Sequence, residues 1–199
     1  YELGTKNSFF DRRLTVNATV FFTNLTNAQV PTLILPDAIT VTRNAGKLES
    51  KGFEIELAIK PVKNLQVDYN FGYTKATYTS LKVSQNGAEV DLSGNRQIFT
   101  PSNTSSLAIQ YNVPINKTGK SYLVFRGEWM QLGEQYFNLT NTLKQNSYHL
   151  LNARVGFQYK VWGLYFWGRN LKDEKYISYA YDFGAVHLGN PLTWGASFN

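Results

Sequence analysis

Cysteine is absent from the 199 residues, so neither a disulfide framework nor thiol chemistry is open to this chain. Charge is sparse, with Asp, Glu, Lys and Arg at 17%. The basic excess, a net +6, is scattered near turns and not gathered along one stripe or helix, which argues against a nucleic-acid binder. It reads as solvated rims first, and as attraction for an anionic ligand or lipid second. No apolar run approaches the ~18 residues of a membrane helix. Strand spans stay open, because barrel strands alternate and their mean hydropathy is modest. A secretory leader is missing: Tyr1-Glu2-Leu3-Gly4 has neither a basic start nor an apolar stretch, so the natural N-terminus is expected further upstream. His149 and His187 are the only histidines and lie far apart without metal-ligand spacing, so no metal site is expected.

What the chain holds in plenty is aromatic surface. Tyr, Phe and Trp make 15% of the residues, and Asn and Thr are frequent. Aromatic, β-branched and small polar residues together favour strands. Period two dominates. Leu14, Val16, Ala18, Val20 and Phe22 share one face, with Arg13, Thr15, Asn17, Thr19 and Thr23 on the other, and only Phe21 breaks the pattern. The same alternation runs through Phe53 to Ile59, Leu65 to Tyr73, Leu107 to Val113, Leu123 to Trp129, Leu151 to Tyr159 and Leu192 to Phe198. Tyr73, Tyr78, Tyr111, Trp129, Tyr148, Tyr159 and Trp162 stand toward segment ends. Amphipathic rings do so at a membrane–water interface, and also in cross-strand pairs of any sheet.

Short links fall near 7–12, 61–64, 114–120 and 160–163, and long excursions near 25–43, 79–102, 132–147 and 172–190, in strict alternation. A soluble β-sandwich has strands of ~5–6 residues and comparable connections at both ends. Here several alternating segments run past ten residues, and a tilted strand needs ~9–11 to cross hydrocarbon. The sequence therefore predicts an all-β fold, an antiparallel transmembrane β-barrel wall with tight turns on one side and long loops on the other. The segments amount to about nine strands, an odd number where single-chain bacterial barrels have an even one. The first of them is only the tail 1–6. The expectation is a partial barrel, part of a larger meander, forming a curved open sheet in isolation. No linker or second domain is evident.

Several stretches, in order, carry a family resemblance: YELGTKNSFFDRRLTVNATVFFTN at 1–24, RNAGKLESKGFEIEL at 43–57, GNRQIFTPSNTSSLAIQY at 94–111, WGRNLKDEKY at 167–176 and GNPLTWGASF at 189–198. Together they resemble the C-terminal barrel region of TonB-dependent outer-membrane receptors and cover nearly the whole chain. The resemblance implies that 1–199 is the C-terminal part of such a barrel. The plug domain and TonB box lie upstream in that family and are absent here, and the closing strand stops short of its aromatic end. The resemblance further implies the cell outer membrane of a Gram-negative bacterium, lipid around the wall, and TonB as a partner reached through the plug. The implied activity is active import of a scarce extracellular ligand, a ferric siderophore foremost, without chemical change to it. It implies neither a cofactor nor enzyme activity. The barrel pattern by itself equally allows a passive porin-like channel, and an outer-membrane barrel enzyme is a third reading that lacks a catalytic constellation.

Ligand contacts are expected from the long loops and the upper wall: Arg43, Arg96, Tyr136, Phe137, Tyr179, Tyr181 and His187. Arg and Tyr would suit an anionic, aromatic iron chelate, and mobile solvated loops are the bland alternative. Glu54, Glu56 and Asp68 share one hairpin. Paired carboxylates can do acid–base work, but the expected reading is charges paired with lysines or with plug residues. Arg126, Glu128 and Arg154 are expected to form a luminal ion-pair ladder. Ser147 and His149 stand close in sequence, which alone makes no triad. Asn-X-Ser/Thr triplets at Asn17, Asn24, Asn103, Asn116 and Asn138 arise by composition in an Asn/Thr-rich strand protein.

Overall fold

Alternating segments become strands because period two puts every second side chain on one face of the pleat. The computed structural model describes residues 1–34, 39–85, 88–116 and 119–199, the side chains at 31–34, 39–41, 43, 45 and 85 excepted. Its strands are β1 (Glu2–Phe9), β2 (Leu14–Ile34), β3 (Ile39–Ile59), β4 (Leu65–Gln85), β5 (Ala88–Asp91), β6 (Asn103–Pro114), β7 (Ser121–Leu132), β8 (Gln135–Tyr136), β9 (Lys144–Gln145), β10 (Tyr148–Tyr159), β11 (Trp162–Arg169), β12 (Ile177–Ala180), β13 (Val186–Leu188) and β14 (Thr193–Phe198). The main sheet runs β1-β2-β3-β4-β6-β7-β10-β11-β14, with β5 hanging off β4 and β8-β9 and β12-β13 as separate small hairpins. Every pairing is antiparallel. The path is the expected meander, broken only by loop strands.

Register carries one face across the whole sheet. Val16 lies opposite Leu57, Leu57 opposite Tyr69, Tyr69 opposite Leu107, Leu107 opposite Trp129, and Trp129 opposite Leu151. The rows beside it hold Tyr111, Phe125, Val155 and Phe166, all exposed. Among the described residues no second layer covers this apolar face. Total accessible surface is 13069 Å², against about 9500 Å² for a compact monomer of 22.6 kDa. A sandwich would have hidden these rows, and the surface area rules it out.

The other face is polar. Asn17 lies opposite Glu56, Glu56 opposite Asn70, and Asn70 opposite Ser106. Asn17 Nδ2 donates to Glu56 Oε2 at 3.0 Å, and Asn70 Nδ2 donates to Ser106 Oγ at 3.2 Å. Glu56 is thus satisfied by an amide, and so is Asp68, whose two oxygens both accept from Gln66 Nε2. Lysines or plug residues were the expected partners; among the described residues Asn17, across the register, and Gln66, two residues along the same strand, take those places. Arg126 does pair with Glu128 at 2.7 Å. Arg154 leaves that ladder, because its guanidinium sits over the Tyr165 ring, 4.9 Å from the centroid. Phe21, the one break in the alternation, lies opposite Gly52 on the polar face. A Cβ there would come 2.7 Å from the ring, so the glycine is the seat of the aromatic.

The short links sit close to where the spacing predicts. The first differs: β1 continues through Asn7 and Ser8, which pair with Val16 and Thr15. The reversal falls on Phe10, Asp11 and Arg12, all at positive φ (54°, 53°, 64°), and Arg13 N–H closes it onto Phe10 O at 3.0 Å. The long excursions differ more. Each contains strand: β2 and β3 prolong into an arm, β4 prolongs to meet β5, and β8-β9 and β12-β13 are hairpins. In the arm, register shifts fall between Thr26 and Ala28, between Ala28 and Gln29, and between Lys47 and Leu48. Asn27, at φ 57°, is the extra residue of the first. Bulges of this kind break period two. They turn Ala28 and Leu81 toward the polar-face side, where Leu48, Ala76 and Tyr78 already point. With Val30 and Leu92 these residues form a small buried core.

Candidate functional site

The loop ends of the strands meet over that core, and asparagines hold them. Asn141 Oδ1 accepts from Arg96 N at 2.7 Å while its Nδ2 donates to Arg96 O at 3.1 Å. One side-chain amide thereby imitates a strand partner, which a short polar side chain in the left-handed region (φ 56°) is placed to do. Asn138 is buried. Its Oδ1 accepts from Thr142 N and Leu143 N, each at 3.0 Å. Its Nδ2 faces Thr140 Oγ1, Thr142 Oγ1 and, at 2.7 Å, Asp182 Oδ1. With two protons for three acceptors, the charged oxygen is the strongest claimant. That bond ties the β7–β10 loop to the β11–β14 loop. Asn170, also buried, does the same work within the latter, donating to Glu174 O and Asn190 O and accepting from Glu174 N. Nearby, Asp173 accepts from Lys175 Nζ and Leu192 N, and these bonds, the lysine first, hold its carboxyl below the ordinary range.

Aromatic rings converge on this scaffold. Phe137, buried in the β7–β10 loop, lies 5.9 Å from Phe99 of the β4–β6 loop. Phe99 stacks on Tyr179 of β12 at 5.2 Å and 16°. Tyr181 follows at 4.6 Å from Tyr179, and Phe183 stacks on Tyr181 at 5.0 Å. Three loops thus contribute to one ladder of rings, buried at Phe137 and exposed at Tyr179, Tyr181 and Phe183. His187 lies opposite Tyr179 in the β12-β13 hairpin. The Ser178 hydroxyl lies 3.0 Å from His187 O and 2.7 Å from His187 Nδ1, so it is held by the backbone and the ring of one residue.

A polar cluster stands beside the ladder. Glu134 accepts from Lys144 Nζ at 2.7 Å and from the Tyr136 hydroxyl at 3.2 Å. Lys144 foremost, then Tyr136 and the nearby Arg96, hold the Glu134 carboxyl below the ordinary glutamate range. Glu134 in turn raises Lys144. Arg96 bridges Thr77 and shares its side of the sheet, the apolar-face side. The adjacent Asn95 reaches the opposite way, to Leu139 O at 2.8 Å.

The sequence-derived contact residues therefore fall into groups. Phe137, Tyr179 and Tyr181 join one ladder with His187 next to it. Arg96 and Tyr136 meet around Glu134. The backbone of Arg43 pairs with Val30, and its side chain lies outside the described residues. Sequence reasoning missed Phe99, Phe183, Asp182 and the bonding role of Asn138. Asn138-Leu139-Thr140-Asn141-Thr142 does carry a signal, since Asn with hydroxyls two and four residues on is the pattern of a side-chain-closed turn.

Ser147 donates to Leu132 O at 3.0 Å, and His149 lies against Trp129 with ring centroids 6.1 Å apart. Among the described residues no group of three or more His, Cys, Asp or Glu is placed to hold a metal ion. A groove of about 650 Å³ opens away from the loops, on the apolar face, where Gly127, Ala153 and Gly168 leave a gap beside Phe125, Phe166 and Trp194.

Known proteins share this architecture. The pesticin receptor of Yersinia pestis is 26% identical over 186 residues, which is 93% of this chain and 26% of that receptor. The ferrioxamine receptor of Yersinia enterocolitica is 27% identical over 153 residues, 73% of this chain and 20% of that protein. The crystal structure of the ferric yersiniabactin uptake receptor FyuA from Yersinia pestis superposes with a TM-score of 0.79 at 24% identity, covering 98% of this chain and 28% of that one. The siderophore receptor PiuA from Acinetobacter baumannii gives 0.77 at 23%, covering 98% and 27%. At these identities the structural likenesses speak for the fold. The chain spans about a quarter of the length of the curated relatives it matches, as the 26% coverage shows. Residues 1–171 match the family model described as TonB dependent receptor-like, beta-barrel, and the chain belongs to that family.

Proposed function

We propose that this chain is the C-terminal part of the barrel of an outer-membrane receptor that imports a scarce extracellular ligand, a ferric siderophore foremost, energised through TonB by way of a plug domain. The observation that carries the ligand reading is the ladder Phe137–Phe99–Tyr179–Tyr181–Phe183, assembled from separate loops with rings left exposed. Rings displayed on a braced scaffold supply apolar area at low cost in conformational entropy. Ferric chelates present flat organic faces and frequently a net negative charge. The rings would take the faces, and Arg96 and Lys144, which together outnumber Glu134 in charge, would take the anion. Arg43 and His187 complete the candidate set, and Tyr136 orients Glu134. The names of the relatives support the reading: ferrioxamine and ferric yersiniabactin are the ligands they mention. In this reading the apolar face meets lipid, the polar face lines the lumen, and the long loops lie outside.

The full-length receptor, titrated with ferrioxamine, ferric yersiniabactin and ferric citrate, is expected to bind at least one of them. The double substitution Phe99→Ala and Tyr179→Ala should weaken that binding by roughly tenfold or more. Iron uptake should cease in a strain lacking TonB. Full uptake without TonB would replace the transporter with a passive channel. Binding untouched by the double substitution would remove the ring ladder from the site.

A further inference from the structure

Lys51 of β3 and Lys75 of β4 are direct cross-strand partners. They belong to the apolar rows: Lys51 stands two residues before Phe53 and Lys75 two residues after Tyr73 in the same alternation, and no register shift falls between. The Phe53 and Tyr73 rings lie 5.8 Å apart and are exposed. One pleat beyond this aromatic pair, toward the loops, the apolar face ends and two cations begin. Further round the sheet the same boundary is polar and neutral, with Asn103 donating to Gln131 at 3.0 Å and Gln131 to Ser147 at 3.0 Å.

Two like charges directly opposite one another destabilise a sheet. Glu49 meets Lys51 at 3.0 Å. Among the described residues nothing neutralises Lys75. An aromatic girdle followed by basic residues, one of them without a carboxylate partner among the described residues, is what the headgroup layer of a bilayer selects, because rings settle at the interface and long basic stems reach past it to anionic groups.

We infer that Lys51 and Lys75 together bind the phosphate of an anionic lipid headgroup in the outer leaflet, with the acyl chains lying along the apolar face below. The inference rests on the outer-membrane reading given above. One phosphate between the ammonium groups accepts hydrogen bonds from both and neutralises the charge on Lys75 that Glu49, engaged by Lys51, leaves over. Lipid is the occupant because the site continues without a break into Phe53, Tyr73, Phe71 and Tyr69, which a free anion would leave untouched.

The test uses the full-length receptor in neutral detergent, with lipid A carrying its phosphates, lipid A stripped of them, and inorganic phosphate as probes. Retained lipid is counted by native mass spectrometry, and stability is read from the thermal midpoint. Phosphorylated lipid A should be retained and should raise the midpoint, while the other two probes should not. Lys51→Gln with Lys75→Gln should weaken retention roughly fivefold per lysine. Lys51→Arg with Lys75→Arg should restore it. Without lipid, Lys75→Gln should leave the midpoint unchanged or higher, which a purely structural role for Lys75 would not allow. Equal retention by the wild type and the double Gln variant would overturn the inference, as would an equal effect of inorganic phosphate. Either result leaves the membrane reading intact if the receptor still inserts into phosphatidylcholine vesicles; failure to insert would end both.

Discussion

At the scale of single residues, the loops depend on asparagine more than on any charge. Asn138 satisfies Thr142 N and Leu143 N and reaches Asp182 in another loop. In a buried position each lost partner leaves a polar group stranded, at about 1–3 kcal/mol. Asn138→Ala should therefore loosen 136–143 and 180–183 together, seen as faster amide hydrogen exchange in both stretches of the full receptor. Asn138→Asp separates the two duties. It keeps the acceptor for Thr142 and Leu143 but sets a carboxylate against Asp182, so it should free the second stretch and spare the first. Protection unchanged in both variants would remove Asn138 as the link. Residue chemistry was half legible in the sequence. Tyr179, Tyr181 and Phe137 stood out as loop aromatics, and they do meet. Phe99 did not, because it sits beside Thr100-Pro101 in what reads as turn punctuation, and it stands at a positive φ of 54° that no pattern announces.

At the scale of elements, alternation is a reliable guide where the pleat is regular and fails where a residue is added. From Leu14 to Phe22 and from Phe53 to Ile59 the apolar face could be assigned residue by residue, because the register runs unbroken. Past Thr26 the extra residue at Asn27 shifts the pairing, and β2 continues to Ile34 where a loop was expected. The strands β2, β3 and β4, at 21 residues each, are about twice the length that crosses hydrocarbon. In their outer halves Ala28, Val30, Leu48, Ala76, Tyr78 and Leu81 are buried in the small core, so the burial pattern changes there among the described residues. Glycines distinguish the faces and yield a paired prediction. A Cβ on Gly127 meets nothing within 4 Å, so Gly127→Val should be tolerated and, by strand preference, should hold or raise the thermal midpoint in detergent. A Cβ on Gly52 would strike Tyr73 O and the Phe21 ring, so Gly52→Val should cost about 1–3 kcal/mol or more and lower the yield of assembled receptor. Equal behaviour of the two variants on a heat-modifiability gel would mean that the polar face is looser than described.

At the scale of the whole molecule, the sheet is a wall without a building. Its first and last strands, β1 and β14, each have a neighbour on one side only among the described residues. An unpaired edge presents a row of free backbone donors and acceptors, and that edge templates association. The apolar face adds to the difficulty: Leu3, Trp194 and Phe198 are 75%, 82% and 69% exposed, and the rows between them are exposed as well. In the proposed receptor, lipid covers the face and further strands cover the edges. We therefore expect residues 1–199, expressed alone, to sediment as large aggregates in buffer without detergent. In detergent the face is covered but the edges are not, so the piece should still associate edge to edge and unfold without a single sharp transition. Adding the upstream remainder of the receptor during refolding should rescue a heat-modifiable, protease-resistant barrel, because only then does every ladder find a partner. A soluble monomer with one cooperative transition and no detergent would contradict this account at its base, since it would require the face read as lipid-exposed to be stable in water.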